Sequence, residues 1–317
     1  MFHDVDYRVV LVGGAGTTYV VLEQKHKDVL NRERHTSRYQ MSQLQEQLQR
    51  QLQISRANVP IAPANRVQPP TPAAAPGAEV ATPPPYDIMK YGFPSLENVR
   101  YREGHVLSYD NRNKTANWVC EKFTAQHLNA KAADRKKTQF FEDQEIYELW
   151  RAKLSDYKRS GYDRGHLAAA GNHKYYQKAM DATFSLSNMS PQVGKGFNQG
   201  YWKELEDYVR DLTKTSTNVY VCTGPLYLPN EVRNGKKYVR FEVIGEGNVA
   251  VPTHFFKTML CEKNDGSVAI EAYILPNEVI DSKIPLKQFR VPLHKVEAAA
   301  GGLLYPGLLD KYKYVVA

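Results

Sequence analysis

Residues 59–85 read VPIAPANRVQPPTPAAAPGAEVATPPP, a stretch with too few large apolar side chains to pack. Such a segment is expected to be an extended, mobile linker, so any compact fold has to lie on one side of it. The N-terminal side offers little. Residues 24–56 are charged and glutamine-rich, and Met41, Leu44, Leu48 and Leu52 mark a helix with one thin apolar stripe. That stripe is too short for a stable coiled coil. Residues 9–22 (VVLVGGAGTTYVVL) are the one long uncharged run, shorter than the roughly 20 residues a membrane-spanning helix needs. They are a candidate membrane anchor or uncleaved targeting segment, set against a merely disordered apolar start. Asp4 and Asp6 argue against an Arg-rich, acid-poor presequence. The chain thus divides into an apolar head (1–22), a glutamine-rich helical spacer with its Pro/Ala linker (23–85), and a globular body (86–317).

The body has what a core needs. Residues 113–123 alternate enough to predict a strand, and runs at 218–223, 239–244, 254–260 and 268–274 are rich in Val, Tyr, Phe and Ile and predict strands. Residues 143–154 predict an amphipathic helix through Ile146, Leu149 and Trp150, and Tyr201, Leu205, Tyr208, Val209 and Leu212 mark a helix starting at Asn198. The elements mix without a regular βαβ repeat, which favours an α+β fold over a doubly wound sheet. No glycine-rich dinucleotide or P-loop pattern precedes a helix. Cys120, Cys222 and Cys261 are widely spaced in apolar surroundings, which points to reduced core thiols rather than a disulfide framework or zinc site. A formal net charge of +8 favours a polyanionic partner, nucleic acid or an acidic membrane surface.

Asp163-Arg164-Gly165-His166 carries the chemistry. It sets a guanidinium and an imidazole beside a residue small enough for a phosphate to approach. Phosphodiester hydrolysis needs a base, positive charge for the phosphoryl oxygens and usually a metal. His166 reads either as a structural histidine or as that base. Arg164 suits phosphate oxygens, or else a surface salt bridge. Asn198 is either a helix N-cap or an oxygen ligand. Glu206, eight positions on, would lie about 12 Å away on nearly the same face of one helix. There it would hold a metal-bound water or remain a solvated carboxylate. Arg135 belongs to a basic loop, Asp163 orients its own loop, and His173 and His254 are structural.

In order and at these intervals, that tetrad, Ser187-Asn188-Met189-Ser190-Pro191-Gln192, Phe197-Asn198-Gln199-Gly200-Tyr201-Trp202, and Thr223-Gly224-Pro225-Leu226-Tyr227 resemble the metal-dependent DNA/RNA non-specific endonucleases. The resemblance runs from about Tyr86 almost to the C-terminus. It implies a mixed or antiparallel sheet with flanking helices and a ββα-metal (His-Me finger) site, with a loop after a strand carrying His166. It makes His166 the general base and Asn198 the direct ligand of one Mg²⁺, with Mn²⁺ as a substitute. Glu206 then acts through water, Arg164 on the scissile phosphate, and Arg135 as a second phosphate contact. It further implies DNA and RNA as substrates, a homodimer, and a mitochondrial location with release to the nucleus. A binding module without catalysis would have lost His166 or Asn198, and both are present. An anchoring role for the head and spacer is a further reading.

Overall fold

The computed structural model describes residues 80–308. The head at 1–22 and nearly all of the spacer lie outside the described residues. Among the described residues no helix is long and apolar enough to cross a membrane.

The strands are β1 (Val99–Arg102), β2 (His105–Asp110), β3 (Thr115–Phe123), β4 (Asp163–His166), β5 (Met189–Gln192), β6 (Ser216–Leu226), β7 (Glu231–Arg233), β8 (Lys236–Tyr238), β9 (Val243–Ile244), β10 (Val249–Ala250), β11 (His254–Lys263) and β12 (Val268–Pro276). Six of them form one sheet in the order β1-β2-β3-β6-β11-β12, and every neighbouring pair is antiparallel. With the flanking helices this is the α+β fold, built on an antiparallel sheet.

Period-two alternation gives the sheet two apolar faces. On β6, Val219 and Val221 point to one core and Tyr220 and Cys222 to the other. The first core is completed by Phe197, Trp202, Leu205 and Val209 from the segment that carries the site. The second is covered by Leu293 and Val296 of the helix Leu293–Ala300, by Leu304 and Tyr305, and by Ile88 and Met89 at the start of the body. Cys120 and Cys222 face each other across β3 and β6, and all three cysteines are buried and unbridged. Packed structure extends slightly to the N-terminal side of Tyr86: a short helix spans Pro85–Ile88, and the Ala81 carbonyl lies 3.1 Å from His127 Nε2.

Two local expectations fail. Residues 143–154 are not one helix; a 3₁₀ turn at Glu148–Trp150 is followed by a short helix at Leu154–Tyr157. Arg102 pulls Asp143 into a 2.6 Å ion pair, and Asp143 also accepts the Glu145 amide at 3.1 Å. These contacts spend the first turn on tertiary structure and leave Leu149 68% and Trp150 47% exposed. The run 239–244 yields only the two-residue β9, whereas the β7–β8 hairpin just before it was not foreseen.

Candidate active site

Strand β4 pairs with β5 so that Asp163 faces Gln192 and His166 faces Met189. The Thr115 hydroxyl, donating to the Met189 carbonyl at 3.1 Å, ties this small ladder to β3. His166 ends the strand rather than lying on a loop after it. The chain then turns through Gly194–Trp202, an irregular helical segment broken at Lys195, Gly196 and Gly200, into the regular helix Lys203–Asp211. Gly196 has φ 89°, which suits glycine. Trp202 Nε1 donates to the His166 carbonyl at 3.3 Å, joining the end of β4 to the start of the helix.

All five predicted site residues line a single cavity of about 500 Å³: Arg135, Arg164, His166, Asn198 and Glu206. Asn198 is not a helix cap. Its Nδ2 donates to Asp163 Oδ2 at 2.9 Å, and Gln199 Nε2 donates to the same oxygen at 2.8 Å. A carboxylate only accepts, so Asp163 fixes which end of the Asn198 amide is nitrogen and leaves Oδ1 as the uncommitted acceptor. The break at Gly200 separates Asn198 from the helix of Glu206, so the 12 Å spacing of one continuous helix does not apply to this pair.

Gly165 has a different reason from the one its motif suggests. It is buried, and a Cβ there would stand 2.0 Å from Gln192 Oε1. The glycine makes room for a side chain of the partner strand, not for a phosphate.

His166 sits between two aromatic rings, Phe184 edge-on at 4.7 Å and Phe140 at 5.7 Å. Its Nε2 is shut in without a hydrogen-bond partner, a state Nδ1 does not share. Burial, then the charges of Arg135 and His173, push the imidazole down to about 3, so it is neutral at physiological pH. Arg164 is exposed and stacks its guanidinium 4.2 Å over Phe140. Arg135, on a 3₁₀ turn at Arg135–Lys137, lies 5.4 Å over Phe184 and brings a second guanidinium to the same cavity.

Burial raises Glu206, against the pull of Lys257 and Arg210. Arg210, one turn further along the helix, bridges Asn172 Oδ1 at 3.1 Å and lies 3.9 Å from Glu206. Beneath the cavity Lys257 is 1% exposed, donating to Thr223 Oγ1 at 2.7 Å with its ammonium 4.7 Å over Trp202. His173 lies beside this layer, buried against Glu121 at 2.9 Å, and His254 stands on β11 next to Thr253. Arg210 could have been found from its i,i+4 spacing to Glu206. Lys257 carries no local signal, since it reads as one polar residue in a strand.

Among the described residues no group of three or more His, Cys, Asp or Glu could hold a metal ion. An ion here would rest on few protein oxygens and on water, which suits a hard cation such as Mg²⁺. The free Oδ1 of Asn198 and the Glu206 carboxylate on one cavity wall fit that requirement.

The sequence model of the DNA/RNA non-specific endonucleases matches residues 85–311. "Endonuclease G, mitochondrial" of Caenorhabditis elegans is 51% identical over 216 residues, 68% of this chain and 70% of that protein. The human protein of the same name is 47% identical over 225 residues, 71% of this chain and 75% of its own length. Among solved structures, a chain in a crystal structure of the EndoG/EndoGI complex, titled for the mechanism of EndoG inhibition, superposes with a TM-score of 0.71 at 51% identity. That match covers 74% of this chain and 96% of the other.

Proposed function

The chain belongs to the DNA/RNA non-specific endonuclease family and is a metal-dependent endonuclease, and from that premise we propose the roles its residues take. His166 is the general base. The observation that carries this is an unprotonated imidazole lining the same cavity as two arginines and an uncommitted asparagine oxygen. Nε2 is shut in, so the proton of the attacking water goes to Nδ1. The water oxygen forms the new bond to phosphorus, and the bond to the 3′ oxygen breaks. Arg164 lays its fork on the phosphate oxygens, and Arg135 adds positive charge from the Phe184 side. Asn198 Oδ1 is the direct ligand of one Mg²⁺, with Mn²⁺ as substitute, and Glu206 acts through a water. When bound, the ion supplies charge that relieves the build-up on the phosphoryl and departing oxygens.

Nothing in this cluster favours a base edge, so contacts to the backbone account for cleavage of DNA and RNA with little sequence preference. A mitochondrial location is proposed because the named relatives carry it in their names. A homodimer is proposed on the family resemblance.

The test is direct. Purified protein is incubated with plasmid DNA and with RNA, in Mg²⁺ or in EDTA, beside His166→Ala. Wild type is expected to cleave both only with the metal, and the variant to lose about 10²- to 10⁴-fold in rate. Equal cleavage by the two proteins removes His166 from the base role.

A further inference from the structure

The catalytic cavity does not stand alone. A second groove of about 840 Å³ adjoins it, sharing Phe140, Asp163 and Arg164 as common wall. Lys158 and Arg159 add two exposed cations to this groove, and neither forms an ion pair with another described residue. The nearby carboxylates are occupied. Asp163 holds Asn198 and Gln199, Asp156 accepts the amides of Lys153 and Gly247, and Glu242 accepts the Tyr162 hydroxyl at 3.0 Å.

The turn presenting the two cations is fixed and strained. Arg159 has φ 59°, left-handed for a residue with a Cβ, and Gly161 follows at φ 87°. Ser160 Oγ donates to the Tyr157 carbonyl at 3.0 Å and accepts the Tyr162 amide at 3.2 Å. Tyr157 is itself buried with Leu186, Met189 and Ile244. Five residues after Arg159 comes Arg164, so the two Cα atoms lie no more than about 18 Å apart, within a few nucleotides along a strand.

We propose that this groove is a substrate track. Lys158 and Arg159 hold backbone phosphates of the strand that flanks the scissile one, so the enzyme favours polynucleotides over short esters. Charge complementarity and continuity with the catalytic cavity select a nucleic-acid strand as the occupant. The proposal rests on the nuclease reading of that cavity.

Lys158→Gln with Arg159→Asn removes both charges, and asparagine tolerates the left-handed backbone at 159. Cleavage of a 30-nucleotide single strand and of a thymidine dinucleotide is measured for wild type and variant across a salt series. For the 30-mer, KM is expected to rise on the order of tenfold. The slope of log(kcat/KM) against log[salt] should shrink by about 1.4, roughly 0.7 for each lost single-strand phosphate contact. Cleavage of the dinucleotide, too short to reach the turn, is expected to match wild type. Arg159→Lys, which keeps the charge, should keep the wild-type slope with Lys158 intact. An unchanged KM and slope on the 30-mer overturns the track, as does an equal loss on the dinucleotide. A wild type that cleaves neither substrate sinks the nuclease reading, and the track with it.

Discussion

Asn198, the proposed metal ligand, shows how one hydrogen bond can orient an amide and leave its oxygen open. The bond from its Nδ2 to Asp163 settles the orientation of the amide before any ion arrives. Asp163 is therefore a positioning residue, and Asp163→Ala should leave the ligand present but unheld. The Mg²⁺ concentration for half-maximal cleavage is expected to rise about 10- to 100-fold, the usual scale for losing such a partner; an unaltered Mg²⁺ titration would leave Asp163 with no part in holding the site. His166 gives a second expectation at this scale. Its imidazole is pushed down to about 3, whereas an unfolded histidine titrates near 6.5. Between those values the unfolded chain binds a proton that the folded chain refuses. Stability is therefore full above about 6.5 and is lost as the pH falls towards 3. Buried His105, also held well below its ordinary value, acts in the same sense. The urea midpoint should fall across this window, less steeply in His166→Gln; superimposable curves would show that the depression is absent.

At the scale of elements, the β4–β5 ladder depends on a missing side chain. Gly165→Ala would drive a methyl into Gln192, at an expected cost of about 1–3 kcal/mol in unfolding free energy. Gln192→Ala in the same chain should recover much of that, and a double-mutant cycle by denaturant melts measures it. Purely additive losses would mean the two residues do not meet. This pair also shows what the sequence could convey. The glycine of the motif was legible, but its reason lay on a strand 27 positions downstream. Strand β3 was readable from its alternation, and β6, β11 and β12 from their local richness in Val, Tyr, Phe and Ile. The helix at 143–154 failed because Arg102, far away in sequence, claims Asp143. His166, Asn198, Arg164 and Glu206 could be picked out because their spacing matches a family; Arg135 was a weaker match, and the structure brings it to the same cavity. The bond from Asp163 to Asn198 and the buried Lys257 arise from tertiary packing, for which no spacing rule exists.

At the scale of the whole molecule, the sheet separates two tasks. One face carries the site, while the other is sealed by the C-terminal helix and the first residues of the body. The β7–β9 region leaves Val232, Tyr238, Phe241 and Val243 exposed, apolar surface that a second protomer could cover. Light scattering is expected to give twice the 36.1 kDa of one chain, and Val232→Asp with Phe241→Asp to return it to one. A wild type that runs as a single chain ends the dimer proposal.

The hydrogen bond from the Gly307 amide to the Tyr91 carbonyl, at 2.8 Å, stitches the last described turn to the first. Tyr91 and Gly307 therefore meet on the sealed face, behind the sheet from the cleft. The order in which the polypeptide visits its elements is thus separable from the geometry of cleavage.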